Sequence, residues 1–413
     1  MLQVLGTSWA LLLGMGLLMV GNGVQGTLLG VRGAIEGFST FEMSLVMSAY
    51  FLGFLGGSRL APEMIRRVGH VRVFAALGSL ISALLLLYPV IPDWIAWTLM
   101  RVLIGFCFSG VYVTAESWLN NAASNENRGK ALSLYMIVQM VGIIAAQALM
   151  NLADPAGFLL FIIPSVLVSF AFAPILLSVS PAPVFDTTKA MSLQQLFRSS
   201  PLGCVGMFLL GGVFSALFGM ASVWGTLAGL SVLEISLFVS AIFAGGMVLQ
   251  YPIGWISDRM DRRQLIAMTA GLCALGALVP VLLDPGLSGL LAVGFVVGGI
   301  ANPLYALLLA HTGDFLERED MASASGGLLF VNGLGAVSGP IVAGWLMERL
   351  GPDGFFLQIA VLVGLIGAYA TWRMTRRPAV ETTSPYTAVT AAASVVAVGA
   401  AAETGHVDED AAA

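Results

Sequence analysis

The feature that most limits this chain is a recurrence of apolar segments about 20 residues long, the length a helix needs to cross the hydrocarbon core of a bilayer. They fall at 8–31, 38–60, 71–91, 94–119, 128–151, 156–178, 201–228, 234–256, 264–283, 288–311, 322–347 and 354–374. Their apolar runs are unbroken, whereas membrane β-strands would alternate at period two over about 10 residues. The expected fold is therefore an all-α integral membrane protein with twelve transmembrane helices. Only 10% of the residues are charged and 58% are hydrophobic, against about 25% charged in soluble domains. So few charges cannot clothe a water-soluble surface, which excludes a soluble enzyme, a nucleic-acid binder and a disordered scaffold.

The ends fit the same reading. Met1–Val20 has no basic lead and no small-residue cleavage site after it, so it is read as a retained first span. Residues 375–413 are rich in Ala, Thr and Val and turn acidic at Asp408–Asp410, which predicts a disordered tail. With both termini inside, fifteen of the 18 Lys and Arg residues face the cytoplasm. Arg32 and Arg349 face outward and Arg101 falls inside the fourth span. This asymmetry predicts cytoplasmic termini and supports the span count. Cys107, Cys204 and Cys273 lie apart in apolar runs, and the histidines are scattered. Neither a disulfide framework, a metal site nor a cofactor is expected.

The chain also repeats. Shifted by 193 residues, Gly105 falls on Gly298, Tyr112 on Tyr305, Gln139 on Asn332 and Gly142 on Gly335. Same-orientation repeats are an arrangement that transporters use. The expected units are a six-helix bundle at 1–178, a cytoplasmic linker at 179–200 with an amphipathic helix over Met191–Arg198, and a second bundle at 201–374.

Motifs sharpen this. Gly254-Trp255-Ile256-Ser257-Asp258-Arg259-Met260-Asp261-Arg262-Arg263 follows the eighth span. The fourth span carries Arg101 and Gly105, and the eleventh carries Gly335, Gly339-Pro340 and Gly344. Together with the six-plus-six repeat, these resemble the major facilitator superfamily and its G-x-L-x-D-R-x-G-R-R loop, with Asp261 replacing the second Gly. Glu116-Ser117-Trp118-Leu119-Asn120 is similar to a string in bacterial transporters mostly of unassigned substrate. The first-half loop departs from the pattern: Gly69 is present but no Asp is in register. Glu63 or Glu116 then stands in as the acidic partner of Arg66 and Arg67. The resemblance implies alternating access, with helices one, four, seven and ten lining the cavity. It assigns Gly105, Gly335, Gly339 and Pro340 to helix packing.

Polar residues at membrane depth are costly and usually face the interior. Arg101 lies about 10 Å below the outer surface at 1.5 Å per residue. Asn22 and Gln25 share a face of the first helix at about the same depth. Arg101 is expected beside the cavity, with knitting of helices one and four as the plainer alternative. Gln139 and Asn332 fall near the midplane and are repeat partners. They are cavity candidates, although interhelical hydrogen-bond glue is favoured for them because the resemblance places their helices partly behind the cavity. Asn302 and Tyr305 are expected to line it, with Pro303 breaking the helix. Tyr50, Tyr112 and Trp224 are candidate stacking residues, packing being the commoner role.

No Asp or Glu falls at the midplane, so no carboxylate proton relay is visible and proton coupling rests on the resemblance. A sole deep cation favours anionic, zwitterionic or neutral solutes. Glu63, Arg66, Arg67, Glu116, Gly254, Asp258, Arg259, Arg262 and Arg263 are expected to form an inner gate whose charges pair across the halves. His311 is read as a satisfied helix-end histidine. There is no G-x-x-x-x-G-K-[ST] loop, which argues against an ATP-driven pump. Paired catalytic groups at one depth are missing, which argues against an intramembrane enzyme. The expected function is a monomeric secondary transporter of the cell membrane, moving a small organic solute outward in exchange for protons. Proton-coupled uptake of an anionic or zwitterionic metabolite and a non-transporting scaffold or receptor are the alternatives.

Overall fold

The computed structural model describes residues 2–122, 128–176, 191–316 and 318–376. The expected tail from 377 onward, the last two residues of the expected first bundle and most of the linker, residues 179–190, lie outside them. The described residues are helical throughout, joined by short turns. In chain order they form α1 (Leu2–Ile35), α2 (Thr40–Val68), α3 (His70–Leu87), α4 (Trp94–Ala122), α5 (Arg128–Leu149) and α6 (Leu159–Leu176). A short α7 (Leu193–Ser199) follows, then α8 (Pro201–Ser215), a π turn (Ala216–Met220) and α9 (Ala221–Leu227). The rest are α10 (Val232–Ser257), α11 (Arg262–Leu282), α12 (Gly286–Gly313), α13 (Arg318–Leu350) and α14 (Asp353–Met374).

Ten helical stretches among the described residues are long and apolar enough to cross a membrane, counting α8, the π turn and α9 as one. The two expected spans that miss this criterion are α2 and α6. The first is long, but Ser, Gly and five charged residues dilute it. The apolar stretch of the second, Leu159–Pro174, is shorter. Leu99, Leu103, Phe170, Met268 and Leu272 are exposed on outer faces, as lipid-facing side chains would be.

Local signals explain the boundaries. Ser39 and Glu42 close a capping box at the start of α2, and Ser231 and Glu234 do the same for α10. Pro201 occupies the first turn of α8 behind a Ser200 cap. Gly69, at φ 86°, makes the sharp corner from α2 into α3. Two expectations about breaks are corrected. Pro303 does not break its helix, because α12 runs unbroken from Gly286 to Gly313. The proline removes one backbone donor, and the packing of α10 and α11 along α12 holds the helix through that defect. The irregular turn falls instead at Ala216–Met220, inside a span expected to be regular.

Helices up to Leu176 pack chiefly on one another: α2 on α4, α1 on α5 and α6, α3 on α4 and α6. Those from Pro201 do likewise: α10 on α12, α8 on α13 and α14, α11 on α12 and α14. The two groups meet at α2 on α13, α5 on α10 and α1 on α9. Glycines allow the closest crossings. A Cβ on Gly105 would lie 1.9 Å from the Tyr50 carbonyl oxygen, and one on Gly335 the same distance from that of Phe208. Gly339 abuts Ser215, and Pro340 borders Gly219 of the π turn.

Candidate functional site

A cavity of about 190 Å³ lies between the two groups of helices. The first group contributes α1, α2, α4 and α5, the second α8, the π turn, α9, α10, α12 and α13. The groups touch at the Ile35 end of α1: Ser222 packs against Gly30, Asn151 Nδ2 donates to Ser236 Oγ at 3.3 Å, and the Phe41 amide donates to Glu348 at 3.1 Å. The Ser48 hydroxyl donates to the Val337 carbonyl in the same zone. Toward the other end of α2, Leu55 packs on Gly333 and Arg59 lies over the Phe330 ring.

The two walls differ in chemistry. The first is polar. Asn22 Nδ2 donates to the Tyr112 hydroxyl at 3.3 Å, and that hydroxyl meets Met19 Sδ at 3.3 Å. Thr27 donates to Gln147 Oε1 at 3.0 Å. Arg101 is 4% exposed and lines the cavity. Its described contacts are soft: Nη2 lies 3.3 Å from Met47 Sδ, and the guanidinium sits 4.9 Å from the centre of the Tyr50 ring. Its Nε has no hydrogen-bond partner, and among the described residues no carboxylate pairs with it. The second wall is largely aromatic. Phe214 stacks on Phe218 at 5.5 Å, and Phe218 on Phe243 at 4.8 Å.

Of the expected cavity residues, Asn22, Tyr50, Arg101, Tyr112, Gln139, Asn302 and Asn332 line it. Gln139 of α5 and Asn332 of α13 thus line it from the two groups of helices, and Asn332 also donates to the Met207 carbonyl at 2.9 Å, tying α13 to α8. Gln139 Nε2 has no partner. Asn302 donates to the Gly298 carbonyl at 3.3 Å. Gln25 and Tyr305 lie off the lining, both fully buried. Trp224 also lies off it, packed among Phe238, Phe355 and Phe356. The aromatic wall and the π turn that carries Phe218 were missed by sequence reasoning.

The residues expected to form a gate sit toward the ends of α2 and α4 and around the turn from α10 into α11. Glu63 pairs with Arg66 at 2.8 Å and Arg67 at 2.6 Å. Hydrogen bonds from Arg67 and then Arg66 hold the Glu63 carboxyl below the usual glutamate value. Such exposed pairs contribute little stability. Glu116 is buried, within electrostatic range of Tyr112, Tyr135 and Tyr305, and its neighbour Ser117 shares a 3.0 Å hydrogen bond with His70. Past Gly254, Arg259 lies over the Trp255 ring at 4.0 Å. Arg262 is buried, bonds to Ser257, pairs with Asp314, and reaches Asp258 at 3.9 Å. Arg263 pairs with Asp261 at 2.7 Å. Asp314 was not foreseen as the partner of Arg262. The described ion pairs of this set stay within one group of helices. His311 is buried with its ring 5.1 Å from that of Phe315, edge to face.

A family model described as Major Facilitator Superfamily matches residues 11–288 and 228–402. An uncharacterized MFS-type transporter, YcaD, of Salmonella arizonae is 25% identical over 354 residues, covering 85% of this chain and 91% of that protein. YcaD of Escherichia coli O45:K1 is 27% identical over 366 residues with the same coverages. Among solved structures, the nucleoside transporter NupG superposes with a TM-score of 0.69 at 15% identity, covering 89% of this chain and 99% of that one. The human organic anion transporter MFSD10 (TETRAN) superposes with a TM-score of 0.60 at 14% identity, covering 88% and 98%. At these identities the structural likeness establishes the fold alone. The relatives are transporters, not enzymes.

Proposed function

This chain belongs to the Major Facilitator Superfamily, and from that premise we propose that it is a multi-pass secondary active transporter that carries a small organic solute by alternating access. The observation that carries the reading is the central cavity, walled by both groups of helices and closed by their contacts at the Ile35 end of α1. Twelve crossings in two six-helix units, 1–178 and 201–374, fit this reading. They are supported by the matching packing of α2 on α4 and α10 on α12, and of α1 on α5 and α8 on α13. In this scheme α2 and α6 also span the bilayer. The distribution of basic residues supports cytoplasmic termini, and the bacterial relatives suit an inner-membrane location. The cavity residues are those named above, and the charged ends of α2 and α10–α12 form the gate, re-pairing as the units rock.

The favoured direction is efflux in exchange for protons. Uptake of an anionic or zwitterionic metabolite is the second reading, favoured by the deep guanidinium of Arg101, which has no carboxylate partner among the described residues. The test is reconstitution of the full chain into vesicles holding a pH-reporting dye. These are challenged with small carboxylates, amines and nucleosides under inward and outward gradients. Solute-dependent proton movement above that of empty vesicles is expected. Coupled movement with solute and proton in the same direction overturns efflux in favour of uptake. Binding without flux of any solute overturns transport and leaves the scaffold reading.

A further inference from the structure

The two walls of the cavity ask different things of a ligand. On the α4 side stands a guanidinium that is 4% exposed, touches a thioether and a ring face, and leaves its Nε without a partner. A buried charge in that state is costly, and a carboxylate is the group whose geometry best relieves it. On the other side, Phe214, Phe218 and Phe243 form a continuous stack, with ring planes 18° and 25° from parallel. All three rings line the cavity. Their faces offer an apolar, π-rich surface that an aliphatic chain fills less well than a flat ring.

Phe218 lies within the π turn. A π turn shifts side-chain register by about one residue, and such turns recur at functional sites. Here the side chains of Leu217 and Phe218 and the backbone of Gly219 reach the lining.

We propose that the ligand is an aromatic carboxylate of one or two fused rings, its carboxylate on Arg101 and its ring on the Phe214–Phe218–Phe243 wall. This rests on the transporter reading and narrows it to an aryl anion. The Gln139 amide, whose Nε2 has no partner and which lines the same cavity, is a donor for a ring substituent. A hydrophobic cation is refused, because it would bring a second positive charge toward the guanidinium.

The test is calorimetric titration of the purified full chain with four probes: 2-naphthoate, 2-naphthamide, 2-naphthylmethylamine and cyclohexanecarboxylate. Naphthoate is expected to bind at least ten times more tightly than the amide and several times more tightly than the alicyclic acid, with no measurable amine binding. Arg101→Gln should erase the preference of acid over amide while keeping that of ring over alicycle. Phe218→Leu should do the reverse. The opposite losses guard against misfolding, since a collapsed protein would lose both preferences together. Should either variant collapse, Arg101→Met and Phe243→Leu replace it. Equal binding of acid and amide, or an acid preference that survives Arg101→Gln, overturns the proposal. Flux of labelled naphthoate into vesicles separates it from its premise. Binding without flux sinks transport and keeps the ligand class, whereas flux of other solutes with no naphthoate binding sinks the ligand class and keeps transport.

Discussion

Arg262 and Asp314 form a buried ion pair, although 52 residues separate them. Arg262 opens α11, Asp314 caps α12, and their side chains are 1% and 4% exposed. The guanidinium also reaches Ser257 and the Ala310 carbonyl, so it fastens the ends of α10, α11 and α12 to one another. Removing one partner of a buried pair strands the other charge, at a cost of about 3–5 kcal/mol. Arg262→Ala is expected to lower the melting temperature of the purified protein far more than Arg259→Ala, whose exposed guanidinium rests on Trp255. Thermal unfolding followed by intrinsic fluorescence checks this, and equal shifts in the two variants would refute it.

The crossing of α2 and α4 gives a second expectation. A methyl on Gly105 would stand 1.9 Å from the Tyr50 carbonyl oxygen, so the helices must part to admit it. Overpacking of this kind costs about 1–3 kcal/mol. Tyr50 and Arg101 flank the crossing and line the cavity, so Gly105→Ala should reduce both stability and ligand binding. Gly271→Ala is the control, because a Cβ there meets nothing within 4 Å. A Gly105→Ala protein as stable as the control would show that the crossing is loose.

Asp261 supplies a pH dependence. Its carboxyl is held below its ordinary value near 3.8, chiefly by hydrogen bonds from the Arg263 side chain and also by the Arg263 amide. Folding therefore favours the charged form. The stabilisation is full above the ordinary value and is lost as pH falls through the depressed one. Asp261→Asn should leave less difference between melting temperatures at pH 6 and pH 3 than the unaltered chain shows. An unchanged difference would mean that the pair does not contribute.

The all-helical character and most of the apolar helices were legible because membrane burial writes itself into long apolar runs. Seven of the nine expected cavity residues line the cavity, and polar groups at depth are readable for the same reason. Gln25 was not separable from Asn22: residues three apart on a helix differ by about 60° in direction, enough to carry one off a narrow lining. Tyr305 repeats Tyr112 in sequence yet is buried against Phe214, because equivalent helices do not present equivalent faces to an asymmetric cavity. The wall of Phe214, Phe218 and Phe243 was hidden, since a Phe in an apolar run reads the same toward lipid or toward a ligand. The π turn has no sequence signature, and Pro303 drew the expectation of a break to α12 instead.

The contact of Gly30 with Ser222 tests alternating access itself. A Cβ built on Gly30 falls 2.8 Å from the Ser222 Cβ, and α1 meets α9 there at the closed end of the cavity. Disulfides want Cβ atoms about 3.5–4.5 Å apart, so a small relaxation would join Gly30→Cys to Ser222→Cys. The native Cys107, Cys204 and Cys273 are buried and would not compete. If the two groups of helices must part at this end once per cycle, the oxidised double variant should bind ligand from the opposite side yet carry nothing across. Reduction should restore flux to the level of the single variants. Undiminished flux with the cross-link complete, as scored by the loss of free thiols, would mean that the cavity exchanges its contents without opening here.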